Sequence, residues 1–265
     1  MEFFDSNGGL YNETNTSGMT ANYIGFYYID FGEYPQTSIG ATLPNPAQTN
    51  QNLTTLYYED SITGLKYGKN GSNYYKVEPV RWLVIGNGNN LNNMGFPDKN
   101  DTREGITDLA DNQLLLISEK VLFKYIYSNV GGPIYWTQST LYDYFEATLE
   151  NQIFENIDSN LLGDFKDTKT TTPEIIYTSK LSLLTYYTER EREHRLFYYG
   201  TYCSGAGIGV LKCSYTSYAG SNINYWLRWD LIGENIWSAN PSSGAFSWYH
   251  RTATLGIRPI ILLNT

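Results

Sequence analysis

The sequence predicts an α+β domain, and three observations carry that prediction. Short β-branched and aromatic runs bounded by Gly, Pro and Asn recur from Tyr23 onward. One long segment, Ser139 to Ile157, has the three-four apolar spacing of a helix. After residue 200 the chain turns to Gly, Ser, Tyr and Trp, with strand-like pieces and no helical pattern. Strands and helices followed by an all-β end is the segregated order of α+β folds, as opposed to βαβ alternation. With 265 residues, 41% hydrophobic and 17% charged, the chain has enough apolar material for a core. The organisation expected is an arm over residues 1–22, rich in Asn, Gly, Ser and Thr, and a single domain over 23–265.

Taken in order, Tyr23 to Phe31 reads as a strand closed by Gly32 and a turn through Tyr34-Pro35-Gln36. Residues 37–71 carry Pro44, Pro46 and many Asn and Gly, which predicts a long loop with a small hairpin around Leu56-Tyr57-Tyr58 and Leu65-Lys66-Tyr67. Tyr74 to Ile85 is a strand in which Val80, Trp82 and Val84 alternate with Arg81 and Leu83, with Pro79 at a bend or edge and a turn over Gly86 to Asn93. Leu114 to Ser118 reads as a strand passing into a helix from Glu119 to Tyr125, capped by Ser118. Ser139 to Ile157 is the strongest helix. Its apolar residues fall at 141, 144, 145, 149, 153, 154 and 157, Ser139 is the cap, and no Gly or Pro interrupts it. Leu181 to Tyr187 is a further strand running into the mixed-sign segment Glu189 to Arg195, a solvated helix surface. Strand-like pieces follow at Ile208 to Lys212, Tyr225 to Trp229, Ile236-Trp237, Phe246 to Tyr249 and Gly256 to Leu263.

Composition excludes several classes of function. The net charge is −9 and the 18 basic residues are scattered, whereas nucleic-acid binding needs an uncompensated basic face. The best apolar run, Ile257 to Leu263, contains Arg258 and falls far short of a membrane span. The first residues lack the basic start and apolar run of a secretory signal, so the expected location is cytoplasmic or phage-particle associated. Two cysteines, Cys203 and Cys213, are too few for a disulfide framework or a four-thiolate metal site, and whether they bond to each other stays open. The only histidines are His194 and His250, and no nucleophile elbow, phosphate-binding loop or zinc-protease motif occurs. Ser204-Gly205-Ala206-Gly207-Ile208-Gly209 neither follows a clear strand nor opens a helix, so it reads as a turn. No catalytic residue is assigned.

Tyr225-Trp226-Leu227-Arg228, followed about thirty residues later by Gly256-Ile257-Arg258-Pro259 and an apolar terminal strand, resembles the C-terminal signature of the C-type-lectin-like superfamily. More narrowly, the chain resembles an uncharacterised bacterial and phage branch of it. The shared elements are Ile29-x-Phe31-Gly32-x-Tyr34-Pro35-Gln36, Pro79-Val80-x-Trp82-x-Val84, Leu115-Leu116-Ile117-Ser118 and Trp136-x-x-Ser139-x-Leu141. Tyr142 and Glu146 depart from that branch's pattern, in which a basic residue and an Asn are typical. The resemblance implies a small twisted antiparallel sheet flanked by a few helices, with long C-terminal loops forming the binding face. Some relatives are variable proteins of diversity-generating retroelements, in which adenine-directed mutagenesis rewrites C-terminal codons on a fixed scaffold.

Aromatic content is the feature furthest from average, with 25 Tyr, 11 Phe and 6 Trp, and such side chains dominate many recognition surfaces. Asp230, Ile232, Asn235, Ser238, Asn240, Phe246, Tyr249 and His250 are all reachable from an Asn codon by changing adenines. With Trp229, Trp237 and Trp248 they form the expected contact surface. Trp226, Leu227 and Arg258 read as scaffold. For Trp237 and Trp248, core and contact readings both stand. The function expected is a non-catalytic ligand-binding receptor or adhesin whose partner is a protein or glycan, with oligomerisation left open. A calcium-dependent sugar site would draw on Asp230, Glu234 and Asn235, but the chain lacks a Glu-Pro-Asn-like loop, so no cofactor is assigned and calcium alone is left open. Two alternatives are an oxidase of the formylglycine-generating type using Cys203 and Cys213, and a structural virion or surface component whose C-terminal aromatics are buried between copies.

Overall fold

The computed structural model describes residues 28–52, 57–87, 110, 112–132, 134–169, 175–184, 223–228, 231–232, 234–240 and 246–265. In chain order the elements are β1 (Tyr28–Gly40), β2 (Thr49–Asn52), β3 (Tyr57–Asp60), β4 (Lys66–Asn70), β5 (Asn73–Asn87), β6 (Gln113–Ser118), β7 (Phe123–Ile126) and β8 (Ile134–Tyr135). The helical stretch follows as α1 (Thr140–Tyr144), a π turn (Phe145–Leu149) and α2 (Glu150–Phe154). Then come β9 (Phe165–Lys169), β10 (Ile175–Ser179), β11 (Leu181–Ser182), β12 (Tyr225–Trp226), β13 (Leu231–Ile232), β14 (Asn235–Ala239), β15 (Phe246–His250), β16 (Thr254–Ile257) and β17 (Ile260–Asn264). Among the described residues the fold is therefore mostly antiparallel sheet with one short helix, more β than the α+β expectation, and one helical stretch stands where a few helices were expected.

β5 organises an eight-stranded sheet in the order β11-β17-β6-β5-β4-β3-β2. One edge of β5 pairs with β1 along most of its length, while the other takes β4 near its start and β6 near its end. The alternation read from sequence is real: Val80 and Trp82 are buried and Arg81 is exposed. The small hairpin expected within residues 37–71 forms as β3 and β4, with Tyr58 opposite Tyr67 and Glu59 opposite Lys66, and β2 adds a strand where loop was expected. The turn between β3 and β4 is held by the Asp60 carboxylate, which accepts from the Ile62 and Thr63 backbone N–H groups and from Asn45 Nδ2.

Two expectations fail for tertiary reasons. The turn expected after Gly32 is absent, because β1 continues through Pro35 with irregular register between Asp30 and Glu33 and between Pro35 and Thr37. Gly32 has φ +71°, and a Cβ there would lie 2.7 Å from both Ile153 Cγ2 and Ile153 O, so the glycine serves the close approach of α2. The helix expected over Glu119 to Tyr125 is also absent. Ser118 Oγ donates to Lys120 O, Leu122 N–H donates to Ile257 O, and Phe123–Ile126 pairs with β16 instead. By contrast, the Ser139-capped helix forms as expected, Ser139 Oγ accepting from Tyr142 N–H at 3.1 Å.

The terminal run Gly256 to Leu263 is two strands in two sheets. β16 belongs to a five-stranded sheet of order β15-β14-β12-β16-β7, and β17 to the eight-stranded sheet. Arg258-Pro259 makes the crossing: Arg258 Nε donates to Ser118 O at 2.8 Å, and Ser118 N–H donates to Pro259 O. One core unites the sheets and the helix, with Trp82, Leu116, Trp136, Leu141, Phe145, Trp226, Ile236, Ile257 and Ile261 all buried in it. No helix among the described residues is long and apolar enough to cross a membrane.

Candidate functional site

The C-terminal sheet ends in the hairpin β14–β15, whose register is continuous from Asn235 opposite His250 to Ala239 opposite Phe246. Strand alternation gives this hairpin two faces. Ile236 and Ser238 point inward and are fully buried. Tyr249, opposite Ile236, packs edge-on to Trp226 with ring centroids 6.5 Å apart, and its hydroxyl accepts from Asn224 Nδ2. The other face carries Asn235, Trp237, Trp248 and His250. Trp237 stands directly opposite Trp248, their ring centroids 3.5 Å apart at 31°. Trp237 is half-buried beneath its neighbour, whereas Trp248 keeps 52% of its surface exposed. Asn235 and His250, one pair along, are exposed, and His250 Nδ1 lies 2.7 Å from Thr252 Oγ1.

What holds this face in place is the buried layer behind it. Trp226 is fully buried and its Nε1 donates to Tyr125 O at 3.0 Å. Arg228 is buried, with Nη1 donating to Ser182 Oγ. The Arg258 guanidinium lies over the Tyr225 ring, and Arg251 Nη1 donates to Gly132 O at 2.6 Å. The scaffold expectation for Trp226, Leu227 and Arg258 thus agrees with their burial.

The eleven expected contact residues separate by placement. Asn235, Trp237, Trp248 and His250 come together on the outward face. Ser238 is a correction: its Oγ donates to Ser247 O inside the sheet, and it presents nothing to a partner. Tyr249 is turned inward too. Asn240 follows β14 and is half-buried. The backbones of Ile232 and Phe246 pair with Ile134 and Ala239, while Trp229 and Asp230 lie outside the described residues. Also outside are residues 1–27, the turn beyond Asn87, the Glu189 to Arg195 run, His194, the Ser204 to Gly209 turn, the strand expected at Ile208 to Lys212, and both Cys203 and Cys213.

Two of the clefts among the described residues lie elsewhere. The larger, about 290 Å³, runs along β1 and β5 past Gln36, Glu78 and Glu119, and its Arg81 and Asp30 are bonded to each other at 3.0 Å. The second, about 260 Å³, sits between β1 and the end of α2. Groups with shifted titration also lie away from the hairpin. Burial pushes the Glu150 carboxyl above its usual range, with Glu146 one turn away adding to it, and burial raises Tyr144. Among the described residues no group of three His, Cys, Asp or Glu side chains is placed to hold a metal ion. Sequence reasoning missed that Ser238 and Tyr249 face inward, although the period-two alternation with Ile236 was the signal that would have separated them. No family model, curated protein or solved structure gives a significant match to this chain.

Proposed function

We propose that this chain is a non-catalytic ligand-binding protein of C-type-lectin-like type, a receptor or adhesin that recognises a protein partner through a diversified C-terminal surface. The observation that carries the reading is the Trp237–Trp248 pair, displayed with Asn235 and His250 on the outward face of β14–β15. Large flat rings flanked by small polar groups bury much area for little lost side-chain entropy, which is the composition of a recognition surface. Behind them, buried Trp226, Arg228 and Arg258 form a layer that outward substitutions leave untouched. That is the division of labour a variable surface on a fixed scaffold requires.

Sequencing the DNA that flanks the gene tests the proposal. The expected finding is a near-copy of the codons for Trp226 to Arg258, differing only at adenines, beside a reverse-transcriptase gene. Differences should include the outward His250 codon, leave the template adenines standing in that of Asn235, and spare that of buried Ser238. A locus with neither copy nor reverse transcriptase removes the diversified reading, and changes concentrated at Ser238 and Tyr249 would contradict the outward face as the contact surface.

A further inference from the structure

We infer that the cleft along β1 and β5 binds a small zwitterion, a free α-amino acid being the simplest, at a site separate from the outward hairpin. The cleft lies where the β1–β5 ladder is irregular. Pro35 stands opposite Val77 and Thr37 opposite Lys76, so Gln36 is the extra residue of a bulge, a position that re-aims a side chain. Its Nε2 donates to Glu78 O at 3.1 Å and to Pro79 O at 2.8 Å. Two carbonyls fix the orientation of this amide, because only its NH2 group can donate. Oε1 is then left over. Gln36 is only 8% exposed and lines the cleft, yet its Oε1 accepts no hydrogen bond from the described residues. Bracing the bulge accounts for the nitrogen of this side chain and leaves its oxygen without a role. A nearly buried acceptor in that state is stabilised by any donor that enters the cleft.

The charges along the cleft sort into matched and unmatched. Arg81 Nε donates to Asp30 at 3.0 Å. The Glu78 carboxylate accepts from Thr37 Oγ1 at 2.6 Å and has Lys76 Nζ 3.5 Å away. Glu119 and Lys120, on the connection from β6 to β7, form the facing wall. Their backbone is held in place, Glu119 N–H donating to Arg81 O and Lys120 O accepting from Ser118 Oγ. Their side chains make no hydrogen bond or ion pair with the described residues, although Glu119 is half-buried. One cleft thus presents a neutral acceptor, an anion and a cation, each uncommitted.

A zwitterion is the complement of that set. An ammonium has three donors and a positive charge, so it meets Gln36 Oε1 and the Glu119 carboxylate together. A carboxylate on the same molecule pairs with Lys120. A ligand of single charge would leave Glu119 or Lys120 unmatched. A metal cation fits less well, since among the described residues no three His, Cys, Asp or Glu side chains converge on one point. The volume, about 290 Å³, is at the lower end of small-molecule sites, which run to roughly 300–1,000 Å³, and so suits a ligand of amino-acid size.

The test exposes the full chain to an equimolar mixture of the twenty standard amino acids, reads saturation transfer by NMR, and titrates the strongest responder. The N-acetyl form of that amino acid should fail to bind, and its amide should bind more weakly. E119Q should weaken the amino acid about fivefold. Q36K keeps a donor for the two carbonyls but replaces the acceptor with a cation, and should abolish binding. Because E119Q breaks no bond inside the protein, its effect is readable even where Q36K disturbs the bulge, and circular dichroism of both variants checks the fold. The inference is overturned if no amino acid responds, or if the N-acetyl form or the amide binds as the parent does. It is equally overturned if folded E119Q binds the amino acid unchanged, which would put the contact elsewhere on the chain.

Discussion

Trp82 in the eight-stranded sheet and Trp248 at the edge of the five-stranded sheet are the same side chain under opposite constraints. Trp82 is fully buried, its Nε1 donates to Phe31 O at 2.6 Å, and its ring stacks on Phe154 of the helix. Trp248 packs against its cross-strand neighbour Trp237 and leaves half its surface to solvent. The difference lies in what covers the sheet. β5 is paired on both edges and has the helical stretch packed near it, so Trp82 becomes framework. β15 has β14 on one side and its outward face uncovered at Trp248, so an indole there can serve a partner.

Substitution is the most direct way to break that comparison. Trp82→Ala should cost about 3–5 kcal/mol in chemical denaturation, from lost burial and the cavity left behind. Trp248→Ala should stay within about 0.5 kcal/mol, as exposed positions do. Equal losses at the two sites would mean that Trp248 is framework as well. The next effect in size concerns the joint between sheet and helix. Gly32→Ala forces a Cβ against Ile153 at a positive φ, and a thermal melt should show a loss of about 2–4 kcal/mol. A neutral outcome would show that α2 can back away from β1. The smallest effect separates the two faces of one strand. Ser238→Ala should cost about 1 kcal/mol through its lost bond to Ser247 O, while Asn235→Ala should be close to neutral. The reverse order would overturn the assignment of inward and outward faces.

Where local chemistry and tertiary packing agreed, the sequence was legible. Ser139 caps the helix because its oxygen accepts from Tyr142 N–H, a bond that residues three positions apart can settle between themselves. Val80 and Trp82 are buried on alternation alone. The candidate site was half legible. Trp and Tyr abundance pointed to the segment that carries the Trp237–Trp248 pair, yet Ser238 and Tyr249 were grouped with Asn235 and His250, because codon reachability ignores which way a strand residue faces.

By itself the sequence determined the chain's sheet-rich character, its one uninterrupted helical pattern and the apolar terminal strand, all of which follow from periodicities of two and 3.6 residues. Tertiary structure decided the rest. Glu119 to Tyr125 could have formed a helix, but the backbone of β16 offered Phe123–Ile126 a ladder of partners. Gly32 could have ended a strand, but the helix pressed against it from the far side. Trp226 and Trp248 have equal hydrophobicity, and only the placement of Tyr125, Tyr127 and Tyr249 around the first made it core and left the second on the surface. Residues distant in sequence supply those contacts, so no local pattern could have encoded the outcome.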